Sequence, residues 1–152
     1  MTIETGPSYF GYGANNEPDG GLGFMVGRSV ASVLVGDGEH NLCFVMTDGE
    51  AITLVAQGDC CSESWFADFN GVDSLRGSVI ESVERVEMGD VTDARSRQDV
   101  DRAYGVKFTT SAGYADLVMR NSSNGYYGGE WSVTRSRQIP EGMTEIDGDW
   151  RA

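Results

Sequence analysis

The sequence is poor in lysine, histidine and cysteine, and each shortage narrows what the chain can do. Lys107 is the only lysine and His40 the only histidine, and 11 basic residues stand against 24 acidic ones, for a formal net charge of -13. A field of that sign repels a phosphate backbone, so ordinary nucleic-acid binding is not expected. Adhesion to an anionic membrane surface is disfavoured for the same reason. Solubility and attraction to basic partners are favoured. No apolar run approaches the roughly 20 residues that span a bilayer. The N-terminus shows no basic region followed by an apolar stretch, so no signal peptide is expected. The cysteines are three, Cys43, Cys60 and Cys61, an odd number unlike a secreted disulfide framework. They point to a reducing compartment. An adjacent cysteine pair and one distant histidine do not make the spaced ligand set of a structural zinc site. Asp99 and Asp101 lack the central glycine and closing glutamate of a calcium loop. No cofactor is implied.

Glycine, in contrast, is abundant at 21 of 152 residues, a usage that favours turn-rich β structure over helical bundles. With 39% hydrophobic residues, including three Trp, six Tyr and six Phe, the chain is long enough to bury one core without disulfides or metal.

Residues 1–27 form a Gly-rich arm with interleaved aromatics and no sustained period. Such an arm lies on something, its own core or a neighbour's, so a homo-oligomer could form through it. Its few periodic apolar positions lead to the expectation that removing residues 1–26 leaves the core folded. A single domain is expected over residues 28–137, followed by a polar, acidic tail over 138–152. Within the domain, Val30 to Val35 is β-branched and reads as a strand. Leu42, Phe44 and Met46 alternate with Cys43 and Val45, and Asp48-Gly49 signals a hairpin. Ile52, Leu54 and Ala56 alternate with Thr53, Val55 and Gln57, which completes a three-stranded meander.

A short helix is expected next. Ser62 suits an N-cap, Glu63 suits the first turn, Trp65, Phe66 and Phe69 supply an apolar face, and Asn70-Gly71 reads as the stop. Val79 to Met88 fits neither period cleanly and reads as a bulged strand. Residues 89–103 mix acids with arginines and read as a solvated loop. Tyr104, Val106, Phe108 and Thr110 alternate, as do Ala115, Leu117 and Met119. Asn121 to Gly125 is a turn, and Tyr127, Trp131 and Val133 begin the last strand. The expected class is α+β: a mostly antiparallel sheet or partial barrel of six or seven strands, with one short helix after the third strand.

Two segments stand out chemically. The first is Asp59, Cys60, Cys61, Ser62, Glu63 and Trp65, at a strand end and the expected helix start. Backbone N–H groups there would lower a thiol pKa. No general base is in view, and the alternative is that both thiols pack where strand meets helix. The second runs from Ser122 to Gly129 and contains Asn124, Tyr126 and Tyr127. The two tyrosines read either as sheet residues or as a rim where Tyr126 stacks on a ligand or partner. Neither Gly11-Tyr12-Gly13 nor Gly20-Gly21-Leu22-Gly23 matches a phosphate-binding loop, and no nucleophile elbow is present. An enzyme is therefore not expected.

Asp59-Cys60-Cys61, the aromatic at 65, Asp68, Phe69, Gly71, Leu75, Gly77 and Ile80, together with Ser123 to Tyr127, resemble a small phage and prophage family described only as a domain of unknown function. The resemblance covers about residues 28–135. The chain departs from it at Ser62, where an acidic residue usually stands, lacks the histidine expected before the aspartate, and adds the arm and the loop at 89–103. The resemblance implies a phage origin and no activity. The reading is a non-catalytic phage accessory protein, made in the host cytoplasm, that binds a host protein or a small molecule through residues of the two segments. The rival readings are a virion component, such as a capsid decoration or tail accessory protein, and a cysteine-dependent enzyme.

Overall fold

The computed structural model describes residues 8–9, 14–36, 39–58, 61–124 and 128–152. Their strands are β1 (Ser8–Tyr9), β2 (Val30–Val35), β3 (Asn41–Met46), β4 (Ala51–Gly58), β5 (Glu63–Asn70), β6 (Ile80–Asp90), β7 (Val100–Thr110), β8 (Gly113–Ser123), β9 (Gly129–Ser136), β10 (Thr144–Ile146) and β11 (Trp150–Arg151). They form a six-stranded sheet in the order β1-β9-β4-β3-β2-β10 and a five-stranded sheet in the order β11-β5-β8-β7-β6. Every named strand pair is antiparallel. The inner faces of both sheets contribute to one apolar core, the arrangement of a β-sandwich. This corrects the expected α+β class. There are two sheets and not one, and the helical content among the described residues is a single turn, α1 (Val72–Leu75), with two short 3-10 turns at Ala14–Asn16 and Gly23–Met25.

The expected helix beginning at Ser62 is instead strand β5. The register of β5 against β8 shifts between Phe66 and Asp68. That bulge at Ala67 resets the alternation, so Phe66 and Phe69 both join the core cluster although they are three residues apart. A bulged strand thus imitates a helical spacing. Gly71 does not stop a helix but precedes one. Its φ is 75°, and a Cβ there would collide with the Tyr114 carbonyl oxygen, so glycine is required at this turn.

The strands with unbroken alternation lie as their pattern requires. Leu42, Phe44, Met46, Ile52 and Leu54 face inward from one sheet, and Tyr104, Val106, Phe108, Ala115, Leu117 and Met119 from the other. Phe44, Phe69 and Phe108 meet with ring centroids 5.5 to 6.3 Å apart. Toward another part of the core, Tyr104 stacks on Trp131 across the sandwich at 6.0 Å. Strand β6 carries two register shifts, as a bulged strand should. The stretch expected to be a loop over 89–103 is shorter, because β6 runs to Asp90 and β7 begins at Val100. The tail supplies β10 and β11, which add to β2 and β5 at one edge of each sheet.

The second half of the arm packs on its own chain. Ala14, Leu22 and Met25 are wholly buried in the core. The Trp131 indole N–H donates to the Gly20 carbonyl at 2.8 Å. Ala14, Leu22 and Met25 thus belong to what holds the sandwich together, which counts against the expectation that removing residues 1–26 leaves the core folded.

Candidate functional site

The two segments singled out in the sequence come together in the fold. Gly58 pairs with Gly129 across β4 and β9, and Glu63 pairs with Ser122 across β5 and β8. The Ser62 hydroxyl donates to the Gly128 carbonyl at 3.1 Å. The Ser64 hydroxyl donates to Asn121 Oδ1 at 2.7 Å, in the interior. Gly129 has to be glycine in this setting, because a Cβ would run into Ser64 Oγ and Asn121 Oδ1. The start of β5, the end of β8 and the start of β9 are thereby clamped at one end of the sandwich.

A cavity of about 210 Å³ opens at this end. Its lining includes Asn15, Arg85, Arg102, Tyr104, Asn121 and Ser123, with Glu87, Gly128 and Gly129 around them. Asn15 comes from the arm. Its side chain accepts from the Trp131 backbone N–H at 3.0 Å and donates to the Gly129 carbonyl at 3.3 Å. Tyr104 is 4% exposed, with Trp131 against its ring and the Arg85 guanidinium 5.7 Å from its centroid. Among the described residues its hydroxyl has no hydrogen-bond partner, and neither has the buried Nε of Arg85. Buried polar groups are nearly always satisfied, so the Tyr104 hydroxyl calls for an explanation; the Nε atoms of Arg76 and Arg120, away from the cavity, are likewise without a partner among the described residues. Burial pushes the Tyr104 phenol well above its ordinary pKa, with Glu87 and Glu130 raising it and Arg85 and Arg102 opposing. At neutral pH the group is a hydrogen-bonding phenol and not a base.

The other predicted site residues fall in different places. Glu63 and Trp65 lie away from the cavity, around a second cluster that the loop after β6 covers. Trp65 is buried there, but in a strand and not on a helix. The Arg97 guanidinium lies 3.9 Å from its ring centroid and that of Arg120 lies 5.5 Å away. Arg97 also reaches Glu39 at 3.4 Å and Glu63 at 3.7 Å. Arg120 is 1% exposed. It donates to both oxygens of Asp93 at 2.8 and 2.9 Å, to Ser96 Oγ at 3.2 Å, and to the buried Asp101. Arg95 grips Asp68 at 3.2 and 3.3 Å, and the backbone N–H groups of Arg97 and Gln98 donate to Ser122 Oγ. The stretch read as a solvated loop is largely exposed, but its Asp93, Arg95 and Arg97 tie it to the sheet through an ion cluster centred on the buried Arg120–Asp101 pair.

Cys61 is exposed and precedes a strand, so the helix N-terminus that was to lower its thiol pKa does not exist. Asn124 is exposed at the end of β8, one residue past Ser123 of the cavity wall. The expectations for Asp59, Cys60, Tyr126 and Tyr127 lie outside the described residues. Sequence reasoning missed Asn15, Arg85, Tyr104 and Asn121 as site residues. Among the described residues no group of three His, Cys, Asp or Glu side chains could hold a metal ion.

Comparison with known proteins adds a lineage. Over 114 residues, 72% of this chain and 90% of the relative, the sequence is 31% identical to the uncharacterized protein L278 of Acanthamoeba polyphaga mimivirus. No solved structure matches. Residues 24–133 match the family described as Domain of unknown function (DUF7448). That span takes in β2 through β8 and the first half of β9, and with them every cavity-lining residue except Asn15 and Asn16. The chain is accordingly a member of the DUF7448 family, with a relative in a virus.

Proposed function

We propose that this protein is a non-catalytic viral accessory protein that works by binding, and that the cavity beside Tyr104 is where it binds a small molecule. The observation that carries the reading is the buried hydroxyl of Tyr104, a residue of the cavity wall, which has no hydrogen-bond partner among the described residues. An unsatisfied buried group costs about 1 to 3 kcal/mol, so its retention needs a use outside folding. Among the described residues the cavity wall contains no cysteine or histidine, and a phenol held protonated by burial is a poor general base. These features favour binding over catalysis. A phage origin and action in the host cytoplasm rest on the Asp59 to Cys61 and Ser123 to Tyr127 signatures and on the reduced-compartment reading of the cysteines. The virion alternative leaned on an arm that needs a neighbour. The burial of Ala14, Leu22 and Met25 in their own core weakens that support.

The test is a pull-down of the tagged protein from infected cells, with mass spectrometry of proteins and of small molecules released on denaturation. The parent should release a small molecule that a Tyr104→Phe variant retains poorly. A protein partner held equally by both, with no released small molecule, would overturn the assignment of the cavity. Recovery in purified particles would favour the virion reading.

A further inference from the structure

The face of Trp65 holds a guanidinium that the chain supplies itself. Arg97 lies over the ring, 3.9 Å from its centroid, and two carboxylates stand beside it. Arg97 Nη2 donates to Glu39 at 3.4 Å, and its Nη1 lies 3.7 Å from Glu63. An aromatic face flanked by carboxylates is the chemistry that recognises a planar cation. A cavity of about 290 Å³ opens at this place, with Glu39, Trp65, Arg95, Ser96 and Arg97 in its wall. That is room for about ten water molecules at liquid density. It shares no lining residue with the cavity beside Tyr104.

The Arg97 side chain is held loosely on a firmly held backbone. The backbone N–H groups of Arg97 and Gln98 donate to Ser122 Oγ at 3.2 and 2.7 Å. The side chain itself is 40% exposed, and its two carboxylate contacts are long and single, of the kind worth little in water. Its neighbours differ. Arg95 grips both oxygens of Asp68 at 3.2 and 3.3 Å, and Arg120 both oxygens of Asp93 at 2.8 and 2.9 Å as well as the buried Asp101. Arg97 can therefore swing off the ring while the loop stays in place. Glu39 and Glu63 would then have no cation among the described residues, and the other two guanidiniums are taken by their own aspartates. An incoming cation meets a net negative site on a chain of net charge -13. Among the described residues Glu39 is also the one non-glycine residue with a left-handed backbone, at φ 65°. Such strain gathers at ligand clamps.

We infer that the Trp65 face, with Glu39 and Glu63, is a docking site for an arginine side chain of a basic protein partner, and that Arg97 fills it until that partner arrives. The site is built from residues apart from the Tyr104 cavity and does not depend on the small-molecule reading. It selects arginine over lysine, because a guanidinium stacks flat on the ring and forks to both carboxylates, whereas an ammonium is a compact point charge. Arg97 acts as an internal competitor. The affinity for the partner's arginine is reduced by the fraction of time the ring stands uncovered.

The experiment is a titration of the full chain, followed by 1H–15N correlation spectra, with Nα-acetyl-arginine methylamide and its lysine counterpart as probes. The signals are the Trp65 indole N–H and the backbone amides of Glu39 and Glu63. Arg97→Ala removes the competitor, so it should bind the arginine probe saturably and about tenfold more tightly than the parent does, as for a ring covered about nine-tenths of the time. Arg97→Lys, which keeps a charge but not the fork, should fall between the two. The lysine probe should bind Arg97→Ala more weakly than the arginine probe does. Adding Glu39→Gln and Glu63→Gln to Arg97→Ala should remove that preference. No binding, or binding no tighter in either Arg97 variant than in the parent, would overturn the site. Equal response to the two probes would overturn the selection of arginine and leave only the general attraction of an acidic chain for cations.

Discussion

Deleting residues 1–26 should cost the sandwich much of its stability. The deletion removes Leu22 and Met25, both wholly buried, and buried large aliphatic side chains are worth about 2 to 5 kcal/mol each by truncation to alanine. It also strips the Trp131 indole N–H of the Gly20 carbonyl, a hydrogen bond of about 1 kcal/mol whose loss leaves a donor in the interior. Together these come to about 5 to 11 kcal/mol, the scale of a whole domain's stability of about 5 to 15. The milder variant Leu22→Ala removes only one of these contributions and should lose about 2 to 5 kcal/mol while remaining folded. Urea denaturation followed by tryptophan fluorescence measures both. A truncated chain that still melts cooperatively within about 1 kcal/mol of the parent would refute the reasoning, because it would mean that the arm's buried side chains contribute nothing net.

Trp65→Ala should cost about 3 to 5 kcal/mol as a buried aromatic truncation, since the side chain fills the space between Arg97, Arg120 and the sheet; a melting curve like the parent's would contradict its burial. Arg120→Ala should cost a similar 3 to 5 kcal/mol, because Asp101 is left as a buried charge without its cation. Adding Asp101→Asn should recover part of that loss, and a double-mutant cycle with no coupling would count against the ion cluster. Acid should destabilise the fold only at low pH. Glu50 is buried, which alone would raise its pKa, but hydrogen bonds from Arg135 and Arg28 outweigh this and hold it below its ordinary 4.5. Hydrogen bonds from Arg120 likewise hold Asp93 below 3.8. Groups lowered in the folded state stabilise it above their unfolded pKa and lose that contribution as pH falls through the folded one. The urea midpoint should thus hold steady down to about pH 4.5 and fall below it, with a shallower fall in Glu50→Gln; a midpoint already falling between about pH 7 and 5 would contradict this.

Most legible strands had an unbroken period of two. Strands β3, β4, β7 and β8 could be read because Leu42, Phe44 and Met46, or Tyr104, Val106 and Phe108, alternate without interruption, whereas β2 and β6, whose registers shift, were read from their β-branched residues. Strand β5 could not, because the bulge at Ala67 places Phe66 and Phe69 on one face at a spacing that helices also use, and because the arginines of a neighbouring loop bury Trp65 on the opposite side. The tail strands β10 and β11 have three and two residues, too few to show a period. The site divides in the same way. The segments around Ser62 and Asn124 were visible from their turn chemistry and cysteine pair. The cavity was not, since Asn15, Tyr104 and Asn121 are brought together only by strand pairing and by an arm folding back. Tyr104 alternates like any inward strand residue, and the absence of a partner for its hydroxyl exists only in three dimensions.

The stability of Tyr104→Phe tests the central claim most directly. If the hydroxyl is kept for a ligand and has no partner among the described residues, its removal should leave the unfolding free energy measured in urea unchanged or raise it by up to about 1 to 3 kcal/mol, the cost of an unsatisfied buried polar group. A loss of about 1 kcal/mol or more would mean that the hydroxyl is hydrogen-bonded within the folded chain, and the cavity would lose its claim to be a binding site.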